Sequence, residues 1–129
     1  MFEQTDVMRL AQDLARYSGA RQSQVARNIA NADTPGYRAK DLEPFAASLG
    51  RDAKPDGLRS TRTGHLSTPL SSVSWQSVNV AGQASPNGNT VSLETEMVRA
   101  TRAKSTHDLA LTVYRSSLDV LRTALGRGR

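Results

Sequence analysis

Cysteine is absent from the 129-residue chain, which excludes a disulfide scaffold, a zinc–thiolate site and a thiol nucleophile. Bulky aromatic residues are scarce: two Phe, one Trp and three Tyr provide little material for a large self-contained core. The apolar share of 37% and the mean hydropathy of −0.50 lie below ordinary globular values. No run approaches the roughly 18 apolar residues of a membrane span. The start, Met1-Phe2-Glu3-Gln4-Thr5-Asp6, has no apolar stretch behind it, so the expectation is a soluble chain exported, if at all, without a Sec signal. The nucleotide, metal and hydrolase signatures GxGxxG, GxxxxGK[ST], HExxH, GxSxG and DxDxDG are missing as well. The expectation is therefore no enzyme, no cofactor and no metal.

Charge of one sign is also not concentrated. The formal net charge is +5, yet residues 1–50 hold six basic and six acidic side chains, and no block of five like charges occurs. Nucleic-acid binders gather Lys and Arg on one face or in a run. Nucleic acid and direct lipid binding are accordingly not expected. A rival reading remains, a basic amphipathic helical protein on a membrane surface or on nucleic acid. Salt separates the two, since phosphate contacts weaken steeply between about 50 and 200 mM.

What the chain does have is two amphipathic ends. At 13.9 kDa it is one structural unit at most, divided by pattern into residues 1–33, 34–90 and 91–129. In the first segment, Val7, Leu10, Ala11, Leu14, Ser18, Val25, Ile29 and Ala32 recur at steps of three and four, predicting a helix from about Thr5 to Asn31. Thr5 or Asp6 serves as its cap. The apolar stripe thins at Arg21 and Gln22, just after Ser18-Gly19.

The helix meets a hard stop at Asn28-Ile29-Ala30-Asn31-Ala32-Asp33-Thr34-Pro35-Gly36-Tyr37. Pro35 pushes Thr34 out of the helical region. Thr34-Pro35-Gly36-Tyr37 matches a type II turn, with Pro at the second position and Gly at the third. Asp33 is expected to brace the turn and Asn31 to take a left-handed position. Asn28 and Asn31, three apart, share one side of the helix. They are candidates for contact with a neighbouring subunit.

Residues 38–90 lose periodicity. Pro44, Pro55, Pro69 and Pro86 and five glycines punctuate them. Phe45–Leu49 reads as one helical turn, and Ser72–Ala81 as one bulged strand or two short ones. The last segment returns to order. Ser92 caps a helix running to about Leu125, with Glu94 and Glu96 in its first turn. Leu93, Met97, Ala100, Lys104, His107, Leu111, Tyr114, Leu118, Leu121 and Leu125 alternate steps of four and three, the seam of a coiled coil. Lys104 and His107 interrupt that seam. The plainer reading turns them to water or to a neighbour's polar groups for one turn; the sharper makes them a register device.

The fold expected is mainly α: long N- and C-terminal helices pairing as a coiled coil, with an irregular arm carrying a little β structure. Such a chain leaves Leu109, Val113 and Val120 without a home. Burying each is worth roughly 1.5–3 kcal/mol, which favours self-association.

Several blocks resemble the flagellar rod and axial protein family. Asn28 to Tyr37, followed by Arg38-Ala39-Lys40-Asp41-Leu42, is similar to its N-terminal signature, of the proximal rod type. Thr63-Gly64-His65-Leu66 resembles a recurrent rod motif. Gly88-Asn89-Thr90-Val91-Ser92-Leu93-Glu94-Thr95-Glu96-Met97 resembles the entry to the C-terminal helix, with Ser92 where Asp is usual. Leu121-Arg122-Thr123-Ala124-Leu125 fits the ending. The resemblance implies a structural subunit of the bacterial flagellar basal body, in the periplasmic rod. It would be exported by the flagellar type III apparatus and would polymerise helically around the export channel. Implied neighbours are further copies of itself, the adaptor FliE, the rod protein FlgC and the membrane-embedded ring. The interface candidates are then Asn28, Ile29, Asn31, Asp33, Thr34, Pro35, Gly36 and Tyr37 at the stop. Leu93, Met97, Leu111, Tyr114, Leu118, Leu121 and Leu125 join them on the last helix.

Overall fold

The computed structural model describes residues 2–49 and 75–126. The Thr63–Leu66 motif, Pro55, Pro69, Val73 and the Arg127 tail lie outside the described residues. The elements are α1 (Phe2–Ala30), β1 (Lys40–Leu42), α2 (Phe45–Ser48), β2 (Ser77–Asn79) and α3 (Leu93–Gly126). At 29 and 34 residues, α1 and α3 are rods of about 43 and 51 Å.

The two long helices pack antiparallel. Asn28 reaches Glu96 while Ala15, nearly four turns earlier, meets His107, so chain direction reverses between them. The chain is thus the mainly helical pair anticipated, with a two-stranded sheet in the arm.

The seam differs in detail from its expected form. On α1 the buried residues include Ala11, Ser18 and Val25, and on α3 they are Glu96, Ala103, Ala110 and Ser117. Both sets repeat every seven residues, as a coiled coil requires. On α3 this stripe lies one residue before the aliphatic one read from sequence. The reason is size. Alanine and serine let two helix backbones approach closely, and bulkier side chains are then displaced to the flanks. Leu111, Tyr114, Leu118 and Leu121 are half-buried there, while Leu93, Met97 and Leu125 are 53%, 68% and 73% exposed. His107 is half-buried, and its Nδ1 sits 3.2 Å from the carbonyl oxygen of Ala15 on the other helix. It links the helices instead of facing water; Lys104 is exposed.

α1 begins at Phe2, one turn earlier than expected. Asp6 does not cap it but pairs with Arg9 at 2.8 Å, one turn on. α3 starts where expected, with Ser92 Oγ accepting the Thr95 N–H at 3.5 Å.

β1 carries no alternating apolar pattern and was not legible as a strand. It pairs antiparallel with β2, with Lys40 opposite Asn79, Asp41 opposite Val78 and Leu42 opposite Ser77. The Val80 N–H to Ala39 and the Glu43 N–H to Gln76 extend the ladder at both ends. Tyr17 of α1 anchors this small sheet. Its ring lies 5.4 Å from Phe45 and 5.6 Å from Trp75, edge-on to the latter. Its hydroxyl donates to the Glu43 carbonyl at 2.7 Å. Half of the chain's scarce aromatics are gathered at this one point, where a short arm meets a long helix.

Candidate assembly site at the helix and arm junction

The helix stop is built as the sequence suggests, with two changes. Tyr37 N–H bonds to the Thr34 carbonyl at 3.2 Å and Gly36 has φ 72°, closing the turn. Among the described residues no amino acid other than glycine takes positive φ, so Asn31 is not left-handed. It uses its side chain instead: Nδ2 donates to the Arg27 carbonyl at 2.8 Å, and Oδ1 accepts the Thr34 hydroxyl at 3.2 Å. That second bond supplies the bracing expected of Asp33, which is exposed.

The last carbonyls of α1 are satisfied from a distant part of the chain. The Nδ2 group of Asn89 lies 2.9 Å from the Asn31 carbonyl, 2.7 Å from Ala32 and 2.9 Å from Thr34. Its Oδ1 accepts the Val91 N–H at 2.7 Å. One buried amide thus caps the end of α1 while ordering the approach to α3, meeting the orphan carbonyls that every helix leaves. The turns around it are nested. Gly36 N–H bonds to Asn87, Thr90 N–H to Tyr37, and a Cβ on Gly88 would sit 3.5 Å from the Gly36 backbone.

Asn28 corrects the expectation most. It is fully buried within the chain, so its side chain does not face a neighbour. Nδ2 donates to the Lys40 carbonyl at 2.7 Å and to Glu96 Oε2 at 3.0 Å. Oδ1 receives Gln24, the Tyr37 hydroxyl and the Lys40 N–H, each at 3.2 Å. A short polar amide is needed here because it must accept and donate at once, to two helices and a strand.

Charges complete the junction. Glu96 is fully buried and its second oxygen takes the Arg99 guanidinium. Arg99 also approaches Asp41 at 3.8 Å, and Arg21 binds Asp41 in a fork at 2.9 and 2.7 Å. Two carboxylates therefore face two guanidiniums, a pairing that buried charges require. Burial works to raise the Asp41 pKa, but the Arg21 hydrogen bonds, the Leu42 N–H and the charges of Arg21 and Arg99 outweigh it and hold it below the usual carboxylate value. The Asp41 hydrogen bond raises Arg21 in turn. Burial raises the Tyr17 hydroxyl.

The other sequence candidates face outward. Asp33, Thr34, Pro35 and Gly36 are exposed, Tyr37 and Asn31 half-buried, and Ile29 is 40% exposed. On the side of the pair that the arm covers, but beyond the arm, Leu10 follows Tyr17 by one heptad toward the N-terminus. Val113 follows Arg99 by two. Leu10 is 45% and Val113 37% exposed, with Val7, Leu109 and Val120 also open. On the back of the pair lies a shallow groove of about 380 Å³, lined by Ser18, Gly19, Gln22, Ala26, Lys104 and His107. Among the described residues, Arg9, Arg16, Arg21, Arg99 and Arg122 each lie within 4.0 Å of a carboxylate.

Sequence reasoning missed Asn89, Glu96, Arg21, Asp41 and Tyr17. Arg21 interrupting an apolar stripe was the available signal, as was Asn89 beside the turn glycine Gly88.

These features define a class of protein, a helical building block with an arm clasped to one end of its helix pair and apolar flanks left open. No protein-family model matches the chain. It is 34% identical to the flagellar basal body rod protein FlgB of Agrobacterium fabrum over 116 aligned residues, 83% of each chain. The FlgB of Salmonella typhimurium is 34% identical over 131, and that of Escherichia coli 30% over 133, each covering 94% of both chains. The chain belongs to the FlgB family of flagellar basal body rod proteins.

Proposed function

We propose that this chain is a structural subunit of the proximal rod of the flagellar basal body. It polymerises helically around the export channel and links the membrane-embedded ring to the rest of the rod, in the service of motility. The observation that carries the reading is the likeness to FlgB proteins along 94% of the chain. The open apolar residues support it: Leu93, Met97 and Leu109 are more than half exposed. Their burial in an assembly is favourable by roughly 1.5–3 kcal/mol each.

Unlike apolar surfaces on two sides of one helix pair suit heterologous contacts, which propagate, better than a closed dimer. The neighbours in this reading are further copies, FliE and FlgC, with passage through the flagellar export apparatus to the periplasmic rod. Leu93, Met97 and Leu125, with the half-buried Leu111, Tyr114, Leu118 and Leu121, are the contact residues of α3. Ile29 of α1 and the exposed turn 33–36 that follows it are further contact residues.

The test is deletion of the gene followed by complementation. The strain should be non-motile and lack a completed rod, and the wild-type gene should restore both. A complete rod and swimming in the deletion strain would sink the proposal.

A further inference from the structure

Along the seam, each helix repeats itself every seven residues in small side chains. The native pairing sets Val25 beside Glu96, Ser18 beside Ala103 and Ala11 beside Ala110, following from the Asn28–Glu96 and Ala15–His107 links. Sliding α3 by one heptad sets Val25 beside Ala103, Ser18 beside Ala110 and Ala11 beside Ser117. Apart from Glu96, which belongs to the junction, small residues meet small or apolar ones in either case. Such a seam discriminates weakly between registers, and coiled coils commonly resolve this ambiguity with a few buried polar groups.

The junction does discriminate. In the shifted pairing Glu96 passes beyond Ala30, the end of α1, and loses Asn28. Asn89 is drawn away from the carbonyls of Asn31, Ala32 and Thr34, and His107 from Ala15. The Asn28–Glu96 bond joins two particular side chains, and Asn89 meets carbonyls found only where α1 ends, whereas His107 meets a main-chain carbonyl of the helix. Asn28, Asn89 and Glu96 are all at most 2% exposed.

We propose that the junction, and not the seam, selects the register of the helix pair: the Asn89 cap and the Asn28–Glu96 bond choose one of several heptad-shifted pairings. This holds for the single chain and does not rest on the rod reading. It also gives the opening signature a physical meaning. Its first asparagine holds the start of the arm to both helices, and so aligns the outward faces of α1 and α3 with one another.

The chain has no native cysteine, so spin labels at Gln12→Cys and Thr123→Cys, both exposed positions, report register without interference. A heptad slip moves the labels by about 10 Å along the axis. Pulsed dipolar spectroscopy, with labelled chain diluted in unlabelled chain, should give one distance for the otherwise unaltered protein. Glu96→Gln, which keeps an acceptor for Asn28, should give the same single distance. The triple variant Asn89→Ala, Glu96→Leu, His107→Leu should keep its helical circular dichroism and show a second distance shifted by about 10 Å. A single native distance in that variant would show that the seam chooses register and would overturn the proposal. Loss of its helices would overturn it too, by showing that the junction supplies stability and not choice.

Discussion

Asn28→Ala is the most informative single substitution. The change removes a fully buried amide whose two polar atoms bind Lys40, Glu96, Gln24 and Tyr37. Three of the groups left behind are costly to leave unpaired: the Lys40 N–H, the Lys40 carbonyl and one oxygen of the Glu96 carboxylate. A bond to a charged group contributes roughly 1.5–3 kcal/mol, and each unsatisfied buried group costs roughly 1–3. These terms overlap, because water enters the vacated space, so the expected loss is about 3–5 kcal/mol. Asn31→Ala is the matched control. Its amide bonds only the Arg27 carbonyl and the Thr34 hydroxyl at a half-buried turn, and the expected loss is about 1 kcal/mol or less. Urea denaturation followed by circular dichroism at 222 nm measures both. Equal losses in the two variants, or a loss below about 1 kcal/mol for Asn28→Ala, would refute the assignment of Asn28 as the central bond of the junction.

Gly19 lies mid-helix, and a Cβ added there would meet nothing within 4 Å, so Gly19→Ala should stabilise the isolated chain by about 0.5–1 kcal/mol and raise its Tm. Asp41 has a lowered folded pKa, so it contributes stability above its unfolded value near about 4. That stability should be lost as pH falls through the folded pKa, whereas an Asp41→Asn variant should show a flatter acid limb in pH-dependent urea midpoints. Tyr17→Phe keeps the ring contacts with Phe45 and Trp75 but removes the buried bond to Glu43. Its stability should fall by about 1 kcal/mol, with an unchanged m-value.

The parts of the fold written in local pattern were legible from sequence. Periodicity marked both long helices, Pro35 and Gly36 marked the turn, and Pro44 preceded the short helix at Phe45–Ser48. The parts that depend on distant partners were not. β1 is three residues long and charged, and only β2 and Tyr17 make it a strand. The α3 seam was displaced by one residue because large aliphatics suggest a seam, while close packing selects Ala103, Ala110 and Ser117. Glu96 read as an ordinary first-turn acid, since nothing local shows that Asn28 and Arg99 converge on it. Asn28 and Asn31 looked alike on one helix face, yet one is sealed by the arm and the other is half open. Burial supplied that distinction.

A building block of the flagellar rod must be present in the isolated basal body. The most direct measurement is detergent purification of hook–basal bodies from cells carrying an epitope-tagged copy in place of the native gene, with the tag located by gold labelling. The tagged chain is expected in the purified particle, at the membrane-proximal end of the rod. A motile strain whose intact basal bodies lack the tagged chain would contradict it.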